Sequence, residues 1–143
     1  MRLFDRFVEA IMTARMLVMV SSAIEAATGL GLIADPGLVV RLLLGTDVSG
    51  GGIALSRVGG VALLALGLAC WPSVDKVTAQ ATSALFTYNF LAAIYLGYLG
   101  AAGGFVSYLL WPVCVLHALL ALLLAHPAYA NLSALRCARQ TKR

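Results

Sequence analysis

Three polar residues interrupt long apolar stretches of the chain and are the residues best suited to chemistry. Glu25 lies in the first long apolar segment, Asn89 in the third and His117 in the fourth. Ionisable groups inside a bilayer are costly and usually mark a functional site with a partner. Histidine changes its charge near neutral pH, so these three side chains together could line a small polar cavity.

A fourth candidate, Arg57, enters only about four residues, roughly 6 Å, into the second apolar segment. Glu25 lies about eight residues, on the order of 12 Å, from the outer end of the first segment, and two long side chains could close that gap. One interpretation is an ion pair between Glu25 and Arg57 that fixes the register of two helices, because charges in a bilayer usually pair. The alternative is a proton- or cation-coupled site.

Asn89 and His117 should lie at a similar depth, because a short turn joins their segments. Two interpretations are open for this pair. The first is a hydrogen bond between helices, which model systems value at about 0.6–2 kcal/mol. The second is a ligand or proton site to which Glu25 also contributes. Glu25 shares a helical face with Ser21 and Gly29, so its carboxyl group should point into the bundle.

The sequence offers little for a metal or cofactor. It contains no Cys-x-x-Cys motif and no His/Cys cluster. His117 and His126 are nine residues apart, so they point to opposite helix faces about 13 Å apart and cannot hold one haem between them. We therefore expect no metal, no cofactor and no catalytic residue, and the three cysteines are interpreted as structural.

Composition places these residues in a membrane protein. Of 143 residues, 62% are hydrophobic and 11% are charged, whereas soluble domains are about 45–50% apolar and about 25% charged. A bilayer crossing needs about 20 apolar residues, and the chain supplies enough for four crossings with short loops. This composition excludes a disordered chain, a disulfide scaffold and a large catalytic domain outside the membrane.

The hydropathy pattern predicts an all-α fold, an integral membrane four-helix bundle with short interfacial helices, in a single domain that covers 1–143. The predicted spans are 11–33, 53–71, 79–100 and 105–125. Separate short interfacial helices are expected before the first span and after the last. The third and fourth spans should form an antiparallel hairpin. Tyr88 and Tyr95 share a face on the third span, whereas Tyr98, Tyr108 and Trp111 approach the outer interface and are interpreted as anchors there.

A short helix is predicted over 36–44. Asp35 can cap it, Pro36 suits its first turn and Gly45 ends it. Nine residues cannot cross a membrane of about 30 Å at about 1.5 Å per residue. This helix should therefore lie along the outer surface or dip back into the bundle.

Basic residues predict the orientation. Of the ten Lys and Arg residues, only Arg41 and Arg57 lie near one side of the four-span arrangement. The other eight fall on the opposite side: Arg2, Arg6, Arg15, Lys76, Arg136, Arg139, Lys142 and Arg143. By the positive-inside rule both termini are cytoplasmic. The net charge of +4 is thus interpreted as a topology signal, and nucleic acid is not expected as a partner.

Several short motifs carry a resemblance. They are 55–60 (LSRVGG), 66–71 (LGLACW), the pair Tyr88 and Asn89, and 109–112 (LLWP) shortly before His117. These residues resemble small four-helix bacterial inner-membrane proteins of uncharacterised function and, more loosely, DoxX-type membrane proteins. The resemblance implies a helical bundle in a bacterial inner membrane, and it implies no mechanism.

Three functions fit these observations. The first is a non-catalytic accessory or assembly subunit that acts through helix contacts in the bilayer, as a homo-oligomer or in a larger membrane complex. The second is a small proton- or cation-coupled transporter or channel-like protein with Glu25, Arg57, Asn89 and His117 around its pathway. The third is a membrane redox enzyme that binds quinone or haem, for which the set of ligands is sparse.

Overall fold

A computed structural model of the chain describes residues 2–72, 78–105 and 107–140, and within these ranges it gives no side-chain description for 2–13, 126 and 130–140. The predicted cytoplasmic loop around Lys76 and the basic residues Lys142 and Arg143 lie outside these ranges.

The fold is all helical across the described residues. Five helices follow one another along the chain: α1 (Arg2–Ala34), α2 (Pro36–Leu44), α3 (Gly51–Ala69), α4 (Ala79–Ala102) and α5 (Leu110–Gln140). The predicted fold class, a helical bundle, is therefore confirmed.

Three helical segments are long and apolar enough to cross a membrane: Ala14–Ala34, Gly51–Ala69 and Ala79–Ala102. The apolar part of α5, Leu110–Ala125, is shorter and extends over about 24 Å at about 1.5 Å per residue. The fourth span therefore stays a prediction, whereas three of the four predicted spans coincide with helices of sufficient length.

The short helix α2 has the predicted bounds because its ends are fixed by local hydrogen bonds. The Asp35 carboxylate accepts a hydrogen bond of 3.0 Å from the Leu38 amide, and Pro36 occupies the first turn. Gly45 then ends the helix in the left-handed conformation, with φ of 69°, and donates its amide proton to the Arg41 carbonyl. Only glycine adopts that conformation without steric cost.

Two expectations about helix ends were wrong. The N-terminal residues are helical but continue into the first span as one helix, α1, and are not a separate interfacial helix. The last helix, α5, begins at Leu110 and not at 105, and it continues through Pro127 to Gln140. A proline inside a helix removes one backbone hydrogen bond, and in α5 this loss does not end the helix.

The helices pack mainly as two pairs. α1 packs along α3, and α4 packs along α5 in the predicted hairpin, while smaller contacts of α1 with α4 and α5 join the two pairs. The α1–α3 contact depends on glycines. A Cβ atom at Gly60 would lie 2.7 Å from the Gly29 carbonyl oxygen, and one at Gly67 would lie 2.6 Å from the Ser22 carbonyl oxygen. Small residues of this kind let membrane helices approach closely.

Candidate functional site

The polar residues that the sequence singled out meet where the two helix pairs touch. Glu25 comes from α1, Asn89 from α4 and His117 from α5, and their exposed fractions are 1%, 0% and 7%. Each lies near the middle of its apolar helical segment. Three of the four candidate residues are thus brought together in one buried cluster.

Asn89 is the centre of this cluster. Its side-chain nitrogen donates to the Ser21 hydroxyl oxygen at 2.9 Å and to the Leu85 carbonyl oxygen at 2.8 Å. Its side-chain oxygen lies 2.8 Å from Nδ1 of His117. The predicted contact between Asn89 and His117 is therefore present, and it links all three helices through the bond to Ser21.

The carboxyl group of Glu25 has fewer hydrogen-bond partners than the side chain of Asn89. Its Oε1 atom is buried and has no hydrogen-bond partner among the described residues, and it lies 3.9 Å from Nδ1 of His117. The Tyr88 ring packs edge-on against the His117 ring, with centroids 5.8 Å apart and an interplanar angle of 76°.

The predicted ion pair between Glu25 and Arg57 is absent, because Arg57 is exposed and Glu25 is buried. The register of α1 and α3 explains why. Gly67 of α3 contacts the backbone beside Glu25, whereas Gly60 contacts Leu32 and Ile33 near the end of α1. Arg57 precedes Gly60, so it lies level with the end of α1 and too far along the helix axis to reach the carboxyl group. Arg57 does not belong to the polar cluster.

A cavity of about 650 Å³ adjoins the polar cluster. His117 and Tyr88 form one part of its wall, and Thr28 and Tyr95 contribute two more polar side chains. The other lining residues are apolar and come from all five helices: Ile24, Leu32, Val39, Val40, Leu42, Leu43, Leu44, Leu63, Leu91, Ala92, Leu96, Leu109, Val113 and Leu116. Mostly apolar walls with a few convergent polar groups are typical of small-molecule sites.

The short helix α2 covers part of this cavity. Val39, Val40 and Leu43 line it, whereas Leu38 and Arg41 on the same helix are exposed. The Leu42 carbonyl accepts a hydrogen bond from the Ser107 hydroxyl, which ties α2 to the segment before α5. The sequence left open whether α2 lies along the outer surface or dips back into the bundle. In the structure, one face of α2 is turned toward the bundle interior.

Tyr88 and Tyr95 are the site residues that the sequence pattern does not single out. The sequence assigns them no role at a site, yet both line the cavity. They are seven residues apart on α4 and therefore share a helix face. Tyr88 also precedes Asn89 directly, and that adjacency to a predicted site residue was the available signal.

The chain matches no family model, no curated protein and no solved structure. The resemblance to small inner-membrane proteins and to DoxX-type proteins therefore stays a prediction from the sequence motifs.

Proposed function

We propose that this chain is a small multi-pass protein of a bacterial inner membrane with both termini in the cytoplasm. Three helices of sufficient length and apolarity support the membrane location. Large apolar side chains on the outside of the bundle support it as well, for example Leu55 and Leu122, which are 74% and 72% exposed. The excess of Lys and Arg on one side supports the orientation.

Within that membrane, we propose that the protein is a small proton-coupled transporter or channel-like protein that accepts a small solute in its cavity. The observation that carries this proposal is the position of His117. It lines the cavity, and its Nδ1 atom lies 3.9 Å from the unpartnered Oε1 atom of buried Glu25. The solute site and an ionisable pair therefore share one residue.

The chemistry of the pair follows from the cost of burying charge. An isolated charge in an apolar environment is expensive, so the site accommodates either a neutral acid beside a neutral imidazole or a carboxylate beside an imidazolium. When Glu25 releases a proton and the unprotonated nitrogen of the His117 imidazole takes one up, the net charge of the site stays at zero. A solute that contacts His117 changes the balance between these states, which links solute binding to proton movement.

The accessory or assembly subunit remains the competing proposal, and it makes an opposite prediction about flux. A subunit that acts only through helix contacts has no transport activity after purification. The buried polar cluster then serves only to hold the two helix pairs together, as hydrogen bonds between membrane helices do.

The test is proton flux in liposomes that contain only the purified protein and a trapped pH-sensitive dye. A potassium diffusion potential drives proton entry, and protein-free liposomes give the background. We expect a flux above background that is lost in Glu25→Gln and in His117→Ala, and retained in Asp47→Asn, a control that removes an exposed carboxylate. Absence of flux with the unsubstituted protein would refute a channel-like proton path through the cluster and favour the accessory subunit.

A further inference from the structure

The hydrogen bonds of Asn89 fix the orientation of its side-chain amide. The Leu85 carbonyl oxygen can only accept a hydrogen bond, so the Asn89 atom 2.8 Å from it must be the nitrogen. The remaining atom, Oδ1, is an acceptor and faces Nδ1 of His117 at 2.8 Å. Nδ1 must therefore carry the proton of this hydrogen bond.

This bond determines what His117 offers to the cavity. A neutral imidazole with a proton on Nδ1 has an unprotonated Nε2, which is a hydrogen-bond acceptor. The one hydrogen bond that the structure gives for His117 among the described residues uses Nδ1 and not Nε2. Because Nδ1 is turned toward Asn89 while the ring lines the cavity, Nε2 is the nitrogen left for a ligand.

The remaining walls limit the charge and size of that ligand. No Asp, Glu, Lys or Arg is among the described residues that line the cavity, so an ionic ligand would meet no counter-charge there while His117 is neutral. The apolar walls favour an apolar body, and a volume of about 650 Å³ lies in the usual range for small-molecule sites. A ligand that donates one hydrogen bond would satisfy Nε2.

We propose that the cavity binds an uncharged, mainly apolar molecule that bears a hydroxyl group, and that this hydroxyl donates a hydrogen bond to Nε2 of His117. The inference deepens the proposed function and rests on it for the role of the cavity, because it names the class of solute for the same site. The hydroxyl can belong to a small phenol or alcohol dissolved in the bilayer, or to a lipid such as a diacylglycerol.

The first test compares 2-naphthol with its methyl ether, 2-methoxynaphthalene, on the full chain in detergent micelles. The two probes have nearly the same apolar body, and only the naphthol can donate a hydrogen bond. We expect the naphthol to bind about tenfold more tightly, as one net hydrogen bond implies. Micelles without protein give the background for both probes. Equal affinities would overturn the proposal without any substitution in the protein.

The second test observes the imidazole nitrogens directly by 15N NMR of histidine-labelled protein. The chain has two histidines, and His126→Gln assigns the signals. We expect a protonated Nδ1 and an unprotonated Nε2 on His117, and a shift of the Nε2 signal with 2-naphthol but not with the ether. A proton on Nε2 in the free protein would overturn the proposal.

The lipid source is tested in a separate arm with 1,2-dioleoylglycerol as the probe. A shift of the Nε2 signal with the diacylglycerol as well as with 2-naphthol would show that a lipid hydroxyl also reaches the site, and a shift with 2-naphthol alone would assign the hydroxyl to a small molecule. A protein that binds 2-naphthol as expected but passes no protons would refute the transport proposal and leave this inference standing. Proton flux that depends on Glu25, together with equal binding of the naphthol and the ether, would refute this inference and leave the transport proposal standing.

Discussion

The close approach of α1 and α3 at Gly60 makes a sharp prediction about stability. We expect Gly60→Ala to destabilise the protein and Gly59→Ala, one residue earlier on the same helix, to leave it as stable or make it more so. A Cβ atom at Gly59 would have no other atom within 4 Å. The two substitutions add the same methyl group to the same helix, so they differ in what that methyl group meets.

The magnitude follows from the distances at Gly60. Its added Cβ atom would lie 2.7 Å from the Gly29 carbonyl oxygen and 2.9 Å from the Leu32 Cβ atom, whereas ordinary contact begins at 3.4 Å. The helices would therefore have to move apart by several tenths of an ångström. Overpacking of this kind costs about 1–3 kcal/mol, and the better helix propensity of alanine returns up to about 1 kcal/mol. We expect a net loss of about 1–2 kcal/mol for Gly60→Ala.

The measurement is equilibrium unfolding of both variants in mixed detergent micelles, with helix content followed by circular dichroism. The quantity to compare is the difference in the free energy of unfolding between the two variants, because any effect of the detergent on the added methyl group cancels in that difference. Equal stability of Gly59→Ala and Gly60→Ala would refute the reasoning, since it would mean that α1 and α3 do not approach as closely as the structure places them.

Two further predictions concern charged residues. Because Arg57 does not reach Glu25, the effects of Arg57→Ala and Glu25→Gln on the free energy of unfolding should add to within about 0.5 kcal/mol in the double variant. A coupling energy several times larger would show that the two residues form an ion pair after all. Asp35→Ala should remove the cap of α2, cost about 1 kcal/mol and speed amide hydrogen exchange there. Asp47→Ala, which removes only an exposed ion pair with Arg41, should change stability by under about 1 kcal/mol; equal effects of the two Asp variants would contradict the role of the cap.

The elements that the sequence predicted well are those with local signals. α2 has its predicted bounds because Asp35, Pro36 and Gly45 act through hydrogen bonds and backbone conformations within a few residues. The pairing of Asn89 with His117 was also predictable, since a short turn between two helices fixes their relative depth. Both inferences needed only the chain between the residues concerned.

The prediction of an ion pair between Glu25 and Arg57 failed because it depended on contacts between distant segments. The distance from Glu25 to Arg57 was judged from positions within each helix, but the register of α1 against α3 is set by glycines that interlock with the facing backbone. The cavity could not be predicted either, because its wall combines residues from five helices. The sequence pattern showed only that Tyr88 and Tyr95 share a face of α4, whereas the packing of the helices makes that face part of the cavity wall.

The division of the bundle into two helix pairs has a consequence for the order of its assembly during translation. The partners α1 and α3 are both synthesised before α4 and α5, so the first pair can form while the rest of the chain is still on the ribosome. At that stage Ser21 and Glu25 lack Asn89 and His117 as neighbours. Synthesis that stopped after α3 would therefore leave without its cover a carboxyl group that the finished bundle buries.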